Sequence, residues 1–229
     1  MSTYERLPRG KNKPTDEFKD STMRVFEWLR DNWQTSVEVL AVILVAVSVI
    51  AGASVYWNHR SETAAEKLYL VLMVDAGSEN QINQLAEIID GYSRTPSGQQ
   101  AMLKLGDIYL DKNEFDKASE VFKKLTGRSR NRPLFMIAAL HKLARAELKE
   151  GKFALAAETY LKAASDPHNL ISIDSRFRAA AAYEQANDLE KAEGLYNQIV
   201  KEAKDSDGSI RDLSEERLIW LALNKKITE

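Results

Sequence analysis

From Val39 to Trp57 the chain reads VLAVILVAVSVIAGASVYW, nineteen residues without a charge, bounded by Glu38 and by His59-Arg60. As a helix rising 1.5 Å per residue this stretch covers about 28 Å, close to the roughly 30 Å of bilayer hydrocarbon. Trp33 precedes it and Tyr56 and Trp57 close it, the amphipathic aromatics expected where hydrocarbon meets headgroups. The pattern predicts one transmembrane helix over 37–58. Ala51-Gly52-Ala53 has the small side chains of a signal-peptide cleavage site, but the apolar run continues past it and begins far from the start. An uncleaved signal anchor fits better.

Before the span, residues 1–36 form a polar tail whose first part carries Pro8, Gly10 and Pro14 and is expected to be flexible. Met23 to Trp33 then places Val25, Trp28 and Leu29 on one helical face, either as an interfacial helix or as an extension of the membrane helix.

After the span the apolar spacing becomes helical and repeats. KLGDIYLDKNEFDKASEVFKKL from Lys104, KLARAELKEGKFALAAETYLKA from Lys142 and AAAAYEQANDLEKAEGLYNQIV from Ala179 align, with Phe115, Phe153 and Leu189 equivalent and 38 and 36 residues apart. Helix turns are expected at Asp111 to Asn113, Glu150-Gly151 and Ala186 to Asp188, and connections between units at Pro133 and Pro167. A degenerate helix pair is expected over 59–97 and three repeats over 98–204. A capping helix over 205–229 follows, its Ile210, Leu213, Trp220 and Leu221 facing the stack.

The units resemble tetratricopeptide (TPR) repeats. Met102, Leu105, Gly106 and Tyr109 stand as the first-helix motif, and Ala118, Phe122 and Leu125 as the second-helix motif. In the next unit Leu140, Leu143, Ala144, Ala156, Tyr160 and Ala163 fill those places, with Glu147 where an aromatic is usual. The third keeps Ala179, Ala180, Tyr183, Ala192, Tyr196 and Ile199, with Arg176 at a usually apolar position. Small residues let paired helices approach and the aromatics fill the space between pairs, each burying about 2 kcal/mol of apolar surface. The expected fold is all-α: a single transmembrane helix, then a TPR-like helical-hairpin solenoid with a C-terminal cap.

Composition narrows the chemistry. Hydrophobic residues make up 44% and charged residues 29%, and the net charge of -2 leaves no basic field for nucleic acid. The absence of cysteine excludes disulfides, thiolate nucleophiles and cysteine-ligated metals. His59, His141 and His168 have no metal-ligand spacing, and Asp205-Ser206-Asp207-Gly208 lacks the other ligands of a calcium loop. No catalytic residue, metal site or cofactor is predicted, and Arg128, Arg130 and Arg132 read as a solvated inter-repeat loop, with contact to phosphate or an acidic partner as the alternative. Lys and Arg concentrate before the span, which predicts a cytoplasmic N-terminus and an exported domain.

By elimination the working surface is the stack, whose first helices line a groove suited to a peptide or partner helix. Leu103, Lys104 and Asp107, then His141 and Arg145, then Phe177 and Arg178 are the expected groove residues. The Lys/Asn clamp that TPR domains use for terminal carboxylates is not reproduced among them. The whole arrangement is similar to the YfgM-like ancillary subunits of the bacterial Sec translocon. That resemblance implies an inner-membrane protein whose periplasmic domain meets translocon subunits, chaperones or exported chains. A scaffolding subunit of an envelope complex is the alternative, to be told apart by whether the domain self-associates.

Overall fold

The computed structural model describes residues 16–204 and 207–228, which form ten helices and no strand. The predicted flexible tail falls mostly outside these residues, as do Asp205 and Ser206 of the predicted breaker. The chain divides into two compact units, 1–57 and 58–229.

In the first unit α1 (Asp16–Asp31) is followed by the start of α2 (Trp33–Leu72). Helix begins at Asp16, inside the segment expected to be flexible, because the breakers stop at Pro14 and no further Pro or Gly occurs until Gly52. Only Asn32 separates the two helices. Its amide donates to Trp28 O at 2.9 Å, and Ser36 N donates to Asn32 O at 2.9 Å, so the i→i−4 ladder crosses the junction. Helix α2 contains an 18-residue window of mean hydropathy 2.5, none of it buried, and is long and apolar enough to cross a membrane. Trp33, Tyr56 and Trp57 are exposed on it. The sequence predicts a span ending at 58 and a separate helix from Ala64; α2 runs through both. Asn58 to Thr63 is polar but holds no breaker, and polarity alters what a helix faces rather than whether it forms.

The second unit continues with α3 (Glu79–Tyr92), α4 (Pro96–Asp111), α5 (Phe115–Arg128), α6 (Pro133–Lys149), α7 (Phe153–Ala164), α8 (Ser172–Gln185), α9 (Leu189–Glu202) and α10 (Gly208–Thr228). Each helix from α4 to α9 packs chiefly on the one before and the one after it, α3 packs chiefly on α4, and α10 on α9. Thr95 caps α4, its hydroxyl accepting from Gly98 N at 3.1 Å, with Pro96 at the first turn. Thr95-Pro96-Ser97-Gly98 therefore opens a helix, where the sequence predicts only the end of the preceding pair.

The hairpin turns share one design. Asn113, Gly151 and Asn187 all have φ of 60–75°, and in each turn the next amide reaches back across the helix end: Glu114 N to Tyr109 O at 2.8 Å, Lys152 N to Glu147 O at 2.8 Å, Asp188 N to Tyr183 O at 2.9 Å. This left-handed closure satisfies carbonyls that a helix end leaves open, and Gly and Asn adopt it at least cost.

The repeat positions form the core. Ala118, Phe122 and Leu125, then Ala156, Tyr160 and Ala163, then Ala192, Tyr196 and Ile199 are buried. At Gly106 a Cβ would stand 2.4 Å from two ring atoms of Phe122, which is why this position carries no side chain. Glu147, in the place of the usual aromatic, is 2% exposed, and Thr159 Oγ1 donates to its Oε2 at 2.8 Å.

The capping face of α10 differs from the prediction. Ser214 and Leu221 are buried and Ile210 and Leu218 pack against the last core cluster, whereas Leu213 and Trp220 are exposed. At about 100° per residue, positions 210, 214, 217 and 221 share a stripe that leaves 213 and 220 beyond its edge. Arg217 anchors that stripe, its Nε donating to Glu184 on α8 at 3.0 Å.

Candidate interaction groove

The first helices of the three aligned repeats are α4, α6 and α8, and the surface they share is built from the i, i+3, i+4 stripe that each turns away from its partner helix. On α6 this stripe runs through Leu134, Ile137, Ala138, His141, Lys142 and Arg145. Together with α8 and the connection after α7 it walls a pocket of about 460 Å³.

The floor of the pocket is ordered by a polar cluster that fixes the α7–α8 connection. Ser175 is fully buried, and His141 Nε2 lies 2.8 Å from its Oγ. Asn169 Nδ2 donates to Ser175 Oγ at 3.0 Å and to Ala163 O at 2.8 Å, while Ile171 N donates to Asn169 Oδ1 at 3.0 Å. These bonds hold Leu170 and Ile171 at the lip; Leu170 is 95% exposed, and Leu134 opposite is 71% exposed. Single exposed leucines are ordinary, but aliphatic side chains gathered around one concavity make it the candidate site of this unit.

Cations ring the apolar part. Lys142 Nζ donates to both carboxylate oxygens of Asp107 on α4, at 2.6 and 2.9 Å. Arg178 Nε donates to Asp174 Oδ2 at 2.6 Å, and that carboxylate holds the guanidinium pKa up. Arg145 is exposed and has no ion-pair partner among the described residues. Burial pushes the His141 imidazole below its ordinary pKa and the charge of Arg178 adds to this, against the weaker pull of Asp174. The ring packs edge-on to Tyr160, centroids 5.4 Å apart, and burial raises the Tyr160 phenol. His168 sits at the rim, its Nδ1 3.2 Å from Asp166 Oδ1.

Of the predicted groove residues, His141, Arg145 and Arg178 share this pocket. Phe177 lines a smaller neighbour of about 290 Å³ that shares Tyr160 and Arg178 as a wall, and its ring meets Tyr196 at 5.6 Å. Asp107 reaches the site through Lys142. Leu103 packs into the core beside Phe122 and Met102, and Leu103 and Lys104 line neither pocket. The sequence does not single out Leu134, Ile137, Leu170 or Ile171. The last two lie in a connection, where helical periodicity is blind; the apolar dipeptide three residues after Pro167 is the signal that marks them. Among the described residues no cluster of three or more potential metal-ligating side chains occurs.

Comparison with known proteins agrees with this architecture. The profile described as tetratricopeptide repeat-like domain matches residues 27–176, and a second tetratricopeptide repeat profile matches residues 174–206, covering α8 and α9. No curated protein sequence matches the chain. Among solved structures, the nearly identical TPR-like repeats of a Podosopora anserina protein assigned as a kinesin light chain superpose with a TM-score of 0.50 at 18% identity, covering 74% of this chain and 86% of that one. A glutamine-to-methionine variant of the same repeats gives the same values. At that identity the likeness is one of fold.

Proposed function

The chain belongs to the tetratricopeptide repeat-like domain family, and from that premise we propose that it is a membrane-anchored interaction module of the bacterial envelope, held in the inner membrane by α2 with its N-terminus cytoplasmic. Its repeats bind proteins or peptides on the periplasmic side, and the chemistry is recognition rather than catalysis. The observation that carries this is the pocket between α6 and α8, where exposed aliphatic side chains and cations gather on the face formed by the first helices of the repeats. The apolar, unburied window in α2 supports the anchor. Tethering raises the local concentration of a weakly binding groove, so a modest contact becomes useful near the membrane. The architectural resemblance to YfgM-like ancillary subunits makes translocon components, chaperones or exported chains the first partners to test.

A photo-cross-linking residue at Ala138, on the pocket wall, is expected to capture such partners in the native membrane. One at Glu158, exposed on α7, is expected not to. Equal capture from both, or capture only at Glu158, would overturn the groove reading. Protease added to spheroplasts is expected to digest the region after Trp57; protection of that region with cleavage of the N-terminal tail would reverse the topology.

A second reading, a scaffolding subunit of an envelope complex, is favoured by two exposed apolar stretches: Tyr69, Leu70 and Met73 on and just after α2, and Ile219, Trp220 and Leu223 on α10. Permanent packing against other subunits would cover them. Stable self-association of the purified full-length chain in detergent would support this reading; a monomer would support the first.

A further inference from the structure

The charges around the α6–α8 pocket do not cancel. Lys142 is matched by Asp107 and Arg178 by Asp174, while Arg145, the last pocket-lining cation on α6, is exposed without an ion-pair partner among the described residues. At the other end of the same stripe lie Leu134 and Ile137, facing the lip made by Leu170 and Ile171. Eight residues of α-helix separate Ile137 from Arg145, which is about 12 Å along the axis. An extended peptide covers about 13 Å in four residues and presents positions i and i+4 on the same side. A lysine-bearing ligand would bring a like charge to Arg145, and a purely aliphatic one would leave its guanidinium covered and unmatched.

We propose that this pocket selects an extended segment carrying an aliphatic side chain and a carboxylate four residues apart, the aliphatic group entering between Leu134, Ile137, Leu170 and Ile171 and the carboxylate meeting Arg145. The assignment rests on the groove being the binding surface and adds to it the chemistry of what is bound. The carboxylate is a side chain within the segment, so a free C-terminus is not required. Asp174 and Asp107 stay with their own cations.

The probe is the end-blocked peptide acetyl-GESLSLSEG-amide, in which each leucine has a glutamate four positions away, one in each chain direction. It is titrated into the full-length chain in lipid nanodiscs and followed by calorimetry. Replacing both glutamates by glutamine is expected to weaken binding about fivefold, as fits an exposed charge pair, and replacing them by lysine to weaken it further. Replacing both leucines by serine is expected to abolish it. Arg145→Glu, at an exposed position and with an unchanged melting temperature, is expected to invert the ranking so that the lysine peptide binds better than the glutamate peptide. Equal affinity for the glutamate, glutamine and lysine peptides, or a ranking that Arg145→Glu leaves unchanged, overturns the inference; if the leucines still matter, the groove reading survives it. Absence of binding by every peptide also overturns the inference, and the cross-linking from Ala138 then decides the groove reading separately.

Discussion

At Gly106 the absence of a side chain sets how closely α4 and α5 pack. Alanine is favoured over glycine by about 1 kcal/mol inside a helix, so Gly106→Ala would stabilise an isolated α4. Here its Cβ would meet the ring of the fully buried Phe122 at 2.4 Å, and overpacking of that kind costs about 1–3 kcal/mol. The packing effect wins. Gly106→Ala is expected to lower unfolding free energy by about 1–2 kcal/mol in urea titration, and Phe122→Leu is expected to cost less in the Gly106→Ala background than alone. Glu147 presents the opposite problem, a carboxyl where its counterparts Tyr109 and Tyr183 are aromatic. Burial raises its pKa above the ordinary 4.5, with Thr159 and Lys123 pulling the other way. The folded state therefore keeps a proton that the unfolded chain releases. That contribution to stability is complete below pH 4.5 and is lost as pH rises through the higher folded value. Glu147→Gln keeps an acceptor for the Thr159 hydroxyl without the charge. It is expected to be more stable than the parent at pH 7 and to lose that advantage below pH 4.5, as read by melting temperature against pH; parallel curves would contradict the assignment.

Among the elements, α10 shows what the sequence makes legible and what it leaves hidden. The repeats are legible because core positions recur with helical spacing and each hairpin closes on a residue tolerant of left-handed backbone: Asn113, Gly151, Asn187. The long helix α2 is legible in composition but not in extent, since the change from apolar to polar near Asn58 does not end the helix. On α10 apolar residues occur on more than one face, so the aromatic Trp220 looks like an anchor while the stripe that packs on the stack in fact includes the buried Ser214 and the half-buried Arg217. A polar side chain that packs because its partner is polar leaves no hydrophobic signature; Arg217 is placed by Glu184, thirty-three residues away on α8. Its guanidinium also lies 4.6 Å from the Trp220 ring centroid. The groove is half legible for the same reason: His141, Arg145 and Arg178 follow from helix phase, but Leu170 depends on how a connection is tied down by Asn169. Arg217→Ala removes both contacts and leaves the Glu184 carboxylate, 10% exposed, without its partner. Allowing for solvent around the arginine, a loss of about 1–2 kcal/mol is expected, visible as early melting of α10 in a urea titration followed by Trp220 fluorescence. Arg217→Lys is expected to recover part of it, because lysine restores charge but not the planar fork.

For the repeat unit as a whole, the pattern of neighbours predicts how damage spreads. Within α3 to α10 each helix touches mainly its sequence neighbours in that run, with only slight next-nearest contact. A stack of this kind behaves as a chain of coupled segments, each stabilised by its own packing and by two interfaces. Its ends have one interface fewer and open first, so native-state hydrogen exchange is expected to be slowest in α5 to α8 and faster toward α3 and α10. The two core-directed substitutions then separate the possibilities. Gly106→Ala weakens the α4–α5 interface and is expected to speed exchange in α3 to α6 more than in α9 and α10. Arg217→Ala is expected to speed exchange in α10 and α9 while α4 and α5 keep their protection. If either substitution accelerated all eight helices equally, the unit would open only as a single cooperative block. The groove between α6 and α8 would then be no more rigid than the ends. Under the coupled-segment view it is the most protected surface of the unit, since both of its walls lie inside the stack. A partner binding there meets a pre-ordered site and gives up little binding energy to ordering it.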